Sequence, residues 1–228
     1  GQALAPESIV SVFGAKLATG TQAAAAVPLP LTLAGTTVQV VDNRNTVWSA
    51  PLFYVSPTQI NYQIPPGTAP GSATVIVRAS DGTMSAGQVQ VLAVAPGLFS
   101  TTSDGKGLVA AYITRVKGNG ALQDEAIARF DSIQNKVVAI PIDLGPATER
   151  VILVAFGTGL RGRSSLNNVT AKIGGVNAPV EYVGPTPGYV GLDQVNLLLD
   201  RSLVGKGEVD VSLTIDGKPA NIVKINIK

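Results

Sequence analysis

Apolar and polar residues alternate with a period of two along most of this chain. Val75, Val77 and Ala79 are interleaved with Thr74, Ile76 and Arg78, and Val209, Val211, Leu213 and Ile215 with Asp210, Ser212 and Thr214. The C-terminal stretch repeats the pattern, with Val223, Ile225 and Ile227 set against Lys224, Asn226 and Lys228. This spacing places one set of side chains on each face of a pleated strand, so these segments read as strands buried on one side. Ser8 to Phe13 and Val151 to Phe156 are more continuously apolar, as expected of strands covered on both faces. Asp81-Gly82, Asn119-Gly120 and Asp216-Gly217 supply hairpin turns, because Asp-Gly and Asn-Gly readily adopt the positive φ that such turns use.

The pattern occurs twice. Ala50-Pro51-Leu52-Phe53-Tyr54-Val55-Ser56-Pro57 returns as Ala178-Pro179-Val180-Glu181-Tyr182-Val183-Gly184-Pro185, with Ala, Pro, Tyr, Val and Pro in the same slots. Upstream, Phe13-Gly14 followed by Leu17 matches Phe156-Gly157 followed by Leu160. Downstream, Gln59-Ile60-Asn61 matches Gln194-Val195-Asn196. The order is the same in both halves and the loop lengths differ, which indicates two copies of one unit. Six short strands per copy predict an all-β protein of two tandem immunoglobulin-like antiparallel β-sandwiches, residues 1–95 and 96–228. Gly107 to Val116, Ala121 to Phe130 and Lys136 to Ile142 predict an extra β-hairpin region between the repeats, assigned to the second domain. A helix over Ala121 to Phe130 is the rival reading, and the flanking turn signals favour the hairpin.

Composition narrows the chemistry. The 228 residues include 25 glycines and 15 prolines but no His and no Cys, which excludes histidine triads, thiol nucleophiles, disulfides and zinc sites built on imidazole or thiolate. The net charge is only +2 and the basic residues are scattered, so nucleic acid is not an expected partner. No apolar run approaches the ~20 residues that span a bilayer, so membrane insertion is not expected. The chain starts Gly-Gln rather than Met and reads as an excised fragment with any export signal upstream.

Five segments carry a family resemblance: Ser8 to Gly14, Ala50 to Asn61, Ala95-Pro96-Gly97-Leu98-Phe99, Phe156 to Leu160 and Gly191 to Asn196. Together they resemble a C-terminal module of exported acidobacterial (Solibacter-type) proteins over nearly the whole chain. Each half resembles, more loosely, the IPT/TIG type of immunoglobulin-like domain. The resemblance implies an exported β-sandwich module, extracellular, cell-surface or periplasmic, and brings no catalytic or binding residue with it. Trp48 and the charged segment from Leu122 to Lys136 depart from the family pattern.

Two motifs imitate nucleotide sites. Gly157-Thr158-Gly159-Leu160-Arg161-Gly162 satisfies G-x-G-x-x-G after an apolar strand, and its extension through Arg163-Ser164 imitates a P-loop. That chemistry needs a helix whose first amides meet the phosphates, and the residues after Gly162 read instead as turns and a strand. No catalytic, cofactor or metal residue is therefore expected. Asp42 is followed by Asn43 without the spaced oxygen ligands of a calcium loop, and the adjacent Asp124 and Glu125 point to opposite faces of a strand. Asn168-Val169-Thr170 is a glycosylation sequon, relevant only in a cell that uses it.

The expected role is a non-catalytic structural or protein-interaction module of a larger exported bacterial protein, serving as spacer, anchor or adhesion element. The alternative is a carbohydrate-binding module in which Trp48, Tyr62 and Tyr189 stack on a polysaccharide. The repeated residues Tyr54, Pro57 and Asn61 with Tyr182, Pro185 and Asn196 read as a structural motif. In that reading Tyr54 and Tyr182 lie in the cores, and the Gln59/Asn61 and Gln194/Asn196 amides hold loop backbone groups.

Overall fold

The computed structural model describes residues 3–228. The protein is all-β, its strand pairs are antiparallel and no sheet closes into a barrel. Among the described residues, helix is limited to two 3-10 turns, Leu166–Asn168 and Arg201–Leu203. The chain divides into two compact units, one running to Ala95 and including Gly188–Gly191, the other formed by Pro96–Pro187 and Leu192–Lys228.

The first unit contains β1 (Ile9–Phe13), β2 (Gln22–Ala23), β3 (Thr37–Val41), β4 (Val47–Ser49), β5 (Leu52–Val55), β6 (Gln59–Gln63), β7 (Gly71–Arg78) and β8 (Met84–Val91). They form two four-stranded sheets of order β1-β6-β5-β2 and β4-β3-β7-β8. The period-two pattern is what packs them. Leu52, Val55, Ile60 and Tyr62 from the first sheet and Val38, Val40, Val75 and Val77 from the second share one buried cluster. Each fully buried aliphatic side chain in that layer contributes about 1.5–3 kcal/mol.

The second unit contains β9 (Gly97–Leu98), β10 (Ala111–Val116), β11 (Leu122–Ala126), β12 (Ala128–Asp131), β13 (Lys136–Ala139), β14 (Arg150–Thr158), β15 (Val169–Ile173), β16 (Val176–Asn177), β17 (Val180–Pro185), β18 (Asp193–Leu198), β19 (Gly207–Ile215), β20 (Lys218–Pro219) and β21 (Val223–Ile227). One sheet runs β11-β10-β14-β18-β17 with β9 against the end of β14. The other runs β16-β15-β19-β20 with β21 also on β19, and β12-β13 form a separate hairpin. Hairpin turns form at Asp81-Gly82, Asn119-Gly120 and Asp216-Gly217, each with its glycine at positive φ, but only Asp216-Gly217 has both residues there; Gly82 and Gly120 end three-residue loops, their amides donating to Ala79 O and Lys117 O.

The internal repeat is structural. β1-β6-β5 corresponds to β14-β18-β17, and β4-β3-β7-β8 to β16-β15-β19-β21. Tyr54 pairs with Asn61 as Tyr182 pairs with Asn196, and the same irregularity interrupts both ladders, between Leu52 and Tyr54 and between Val180 and Tyr182. The extra region joins the sheet as β10 and β11. The strand expected over Ala121 to Phe130 is broken at Ile127, whose side chain is buried while its neighbours stay in β11 and β12.

One expectation from the hydrophobic pattern needs correction. β14 lies between β10 and β18, and Val154 on one of its faces is as buried as Leu153 on the other. β1, its counterpart, ends its sheet and leaves Phe13 70% exposed. An apolar run marks a potential for double burial, which the interior strand β14 reaches at Val154 and the edge strand β1 does not reach at Phe13.

Candidate functional site

Asp42 follows directly on β3, where the chain turns toward β4. Its Oδ1 accepts from the Arg44 and Thr46 amides at 2.9 and 3.0 Å. Its Oδ2 accepts from Trp48 Nε1 at 2.9 Å and the Ala69 amide at 3.1 Å. The Trp48 indole and these backbone donors hold the carboxyl down at about 2. A carboxylate surrounded by four N–H donors presents hydrogens where a cation would need lone pairs. Trp48 is half-buried against the core, and a Cβ at Gly67 would come within 2.2 Å of its Cη2, so the bare glycine backbone lets the indole lie flat.

The other aromatic candidates are separated from Trp48 by burial. Tyr62 is 1% exposed inside the first core, and burial pushes its phenol up. It has no face to offer a sugar, which corrects its place in a stacking platform. Tyr189 is 65% exposed. The ring pair that does form is Tyr112 with Phe156, centroids 5.9 Å apart, on neighbouring strands of the second unit.

The glycine-rich motif forms a loop that grips a carboxylate of its own chain. After β14, the Leu160 and Arg161 amides donate to Asp193 Oδ2 at 2.7 and 3.3 Å, and Arg161 Nε donates to Oδ1 at 2.7 Å. Arg161 Nη2 reaches Leu192 O at 3.0 Å. Asp193 is completely buried; burial pushes its carboxyl up, and the Leu160 and Arg161 donors pull against that. The Leu160 and Arg161 amides of the motif are therefore engaged by a carboxylate of the chain itself. Gly157 is needed for another reason: a Cβ there would lie 2.3 Å from Gly97 O, where β9 pairs with β14.

Downstream, Ser164 donates through its amide and its Oγ to Asp216 at 2.8 and 2.5 Å, and Asn168 Nδ2 donates to Ser164 Oγ at 2.9 Å. These residues line a shallow open groove with Thr170 and Thr214. The sequon asparagine is exposed there, at the end of a 3-10 turn capped by Ser165.

The repeated motif is placed as follows. Ile60, Tyr62 and Ile64 are buried, as are Val195, Leu197 and Leu199, so the expected phase of both strands holds. Tyr54 and Tyr182 are half-buried on the opposite face, beside Asn61 and Asn196, rather than in the cores. They share the phase of the asparagines, because a cross-strand pair projects to one side of a sheet. The Tyr182 hydroxyl donates to Pro185 O at 2.8 Å, and Pro57 and Pro185 are exposed at the corners. The amides bond each other rather than loop backbone: Gln59 Nε2 donates to Asn61 Oδ1 at 2.8 Å and Gln194 Nε2 to Asn196 Oδ1 at 3.0 Å. Residues two apart on a strand share a face, which puts the pair within reach.

Two polar centres went unanticipated. Asp193 stood inside a recognisable segment but ahead of an apolar strand, where acids usually face solvent. Arg115 alternates in phase with Ile113 and is nearly buried. It donates to Glu125 at 2.6 and 3.0 Å, to Glu149 at 3.1 Å and to Asp143 O at 2.7 Å. These bonds hold Glu125 below its ordinary range. An arginine on the apolar phase of a strand was the available signal. Among the described residues no group of three or more His, Cys, Asp or Glu gathers as a metal site would require.

Two copies of one antiparallel β unit, each with two sheets, define this chain as a tandem β-sandwich protein. No protein-family model matches it, and no curated protein matches its sequence.

Proposed function

We propose that this chain is a non-catalytic structural or protein-interaction module of a larger exported bacterial protein, where it spaces, anchors or presents neighbouring parts. The observation that carries the reading is the use made of the polar groups. Asp42, Asp193 and Arg115, each with three or more side-chain hydrogen bonds, all fasten the chain's own loops. The resemblance to exported acidobacterial modules with IPT/TIG-like halves supports export to the periplasm, cell surface or medium. Among the described residues no helix is long and apolar enough to cross a membrane.

Polysaccharide recognition is the competing reading, and it now rests on Trp48 and Tyr189 without Tyr62. A glycan array run with wild type and Trp48→Ala separates the two. The structural reading expects no glycan signal that depends on Trp48, and a saturable signal lost in the variant would replace it. Titration with ATP and NAD is expected to give no saturable micromolar binding. Such binding would mean that the Gly157 to Gly162 loop releases Asp193 for a phosphate, and the non-catalytic reading would fall.

A further inference from the structure

The two units treat one equivalent sheet edge differently. In the second unit β21 flanks β19, and main chain from outside the sheet covers it. The Val109 amide donates to Lys224 O at 3.0 Å, Lys224 to Gly107 O at 2.7 Å, Ile142 to Asn226 O at 2.8 Å and Lys228 to Ile142 O at 2.9 Å. In the first unit β8 is the counterpart, and such cover reaches only its end. Leu4 donates to Gln90 O and Leu92 to Leu4 O, both at 2.9 Å.

Those two bonds fix the direction of every backbone group in β8. Gln90 O points away from β7, so by antiparallel alternation Met84, Ala86 and Gln88 also direct N–H and C=O outward. Among the described residues these six groups have no protein partner. Proteins usually block such an edge with charge, proline or a bulge. Met-Ser-Ala-Gly-Gln-Val-Gln-Val has none of these, and space is open around the Cα of Gly87.

We propose that two copies of the chain pair through β8, antiparallel about a two-fold axis at Ala86, joining the first unit's sheet to that of its partner. The occupant follows from self-complementarity. With the axis at Ala86, Ala86 faces the partner's Ala86 and Met84 faces the partner's Gln88, and all six outward groups are bonded. An axis at Gln88 would require Gln90 O, which already accepts from Leu4. An axis at Met84 would require Gly82, whose amide closes the turn onto Ala79 O. The strand is uncharged, so self-pairing brings no like charges together. Spacer and sugar-binding roles for the module are equally compatible with this pairing.

Sedimentation velocity across a concentration series of the full chain tests it. Wild type is expected to pass from monomer to dimer. Ala86→Lys sets like charges opposite each other at the axis and should weaken the dimer by at least about tenfold. Ala86→Pro removes an outward donor without touching the β7 ladder and should act likewise, with circular dichroism checking that both variants fold. The chain has no cysteine, so single-cysteine variants read the register directly. Oxidised Ala86→Cys should cross-link in high yield, since directly opposed residues lie about 5.5 Å apart, within disulfide reach. Gln88→Cys should not, because its two copies would be roughly 13 Å apart along the strand. A monomer at every concentration overturns the proposal. So does a dimer indifferent to Ala86→Lys, which would assign assembly to another surface such as the exposed Phe130 and Ile133 of the β12-β13 hairpin. Pairing of β8 with an unrelated extended peptide, while the chain itself stays monomeric, overturns it too.

Discussion

The corner between β5 and β6 and the corner between β17 and β18 start from one backbone plan and are fastened by different chemistry. In the first unit Ser56 and its two successors make the turn. Ser56 Oγ accepts from the Gln59 amide at 3.0 Å and donates to Gln59 O at 3.1 Å. Between β17 and β18 the connection runs from Thr186 to Leu192, and the buried Asp193 that follows it at the start of β18 is clamped by the loop after β14. A short turn has little conformational freedom to restrain, so a hydroxyl suffices; a longer loop needs an anchor fixed elsewhere in the fold. The sequence repeat is thus conserved in its ladder and register, while its loops settle their polar groups independently.

Removing the anchors is expected to have unequal effects. Asp193→Ala leaves the Arg161 guanidinium and the Leu160 amide without their buried acceptor, and should destabilise the second unit by about 3–5 kcal/mol. Ser56→Ala should cost the first unit only about 1 kcal/mol. Denaturant melts followed by circular dichroism report both units, whereas fluorescence of Trp48, the chain's one tryptophan, reports the first. Equal losses in the two variants would break the contrast between a clamped loop and a self-closing turn.

Next in size is Gly67→Ala. The added methyl meets the indole of Trp48, so either the ring or the Ala69 segment must move, at about 1–3 kcal/mol for an overpacked site. The Trp48 to Asp42 bond should weaken with it, giving a shifted emission maximum. An unchanged spectrum and midpoint would show that the ring does not depend on the bare backbone behind it.

Acid tests the same cluster. The Asp42 value of about 2 lies below the ordinary 3.8, so its ionised form stabilises the fold fully above 3.8 and that contribution disappears as pH falls through about 2. Trp48 emission should therefore change in that window while circular dichroism at neutral pH is unaffected. Asp42→Asn should abolish the acid transition and lower the neutral-pH midpoint, because its amide nitrogen faces donors. A transition that persists in Asp42→Asn would move its origin to another carboxylate.

Most of the architecture could be read from the residues, because period-two alternation and Asp-Gly or Asn-Gly turns are local signals. Val75, Val77, Val195 and Leu197 are buried as their phase requires. What failed was set by neighbours distant in sequence. Phe13 looked like core until the sheet proved to end at β1, and Tyr54 and Tyr182 looked like core because aromatic residues in repeat-equivalent slots usually are. Trp48 looked free until Gly67 and Asp42 closed on it. The candidate site was legible only in the negative: the missing helix after Gly162 could be foreseen, but the Asp193 clamp that occupies its amides could not, since that contact joins two loops with no local signature.

The smallest expected effect makes the finest comparison. Gln59/Asn61 and Gln194/Asn196 form the same amide pair in the same register, yet Asn61 carries one more bond, from Ser11 Oγ at 2.9 Å. The residue opposite Asn196 is Val154, which has no hydroxyl to give. Both amides are half-buried, so truncating either leaves water able to reach the remaining partner, and Asn61→Ala and Asn196→Ala should each cost about 1 kcal/mol, with Asn61 the larger. Ser11→Val copies the second unit into the first and should reduce the cost of Asn61→Ala toward that of Asn196→Ala. A double-mutant cycle on Ser11 and Asn61 measures the difference directly, with a coupling of about 0.5–1 kcal/mol expected. Zero coupling would mean that the Ser11 bond adds nothing to the pair, and that the two corners are energetically alike despite their different partners.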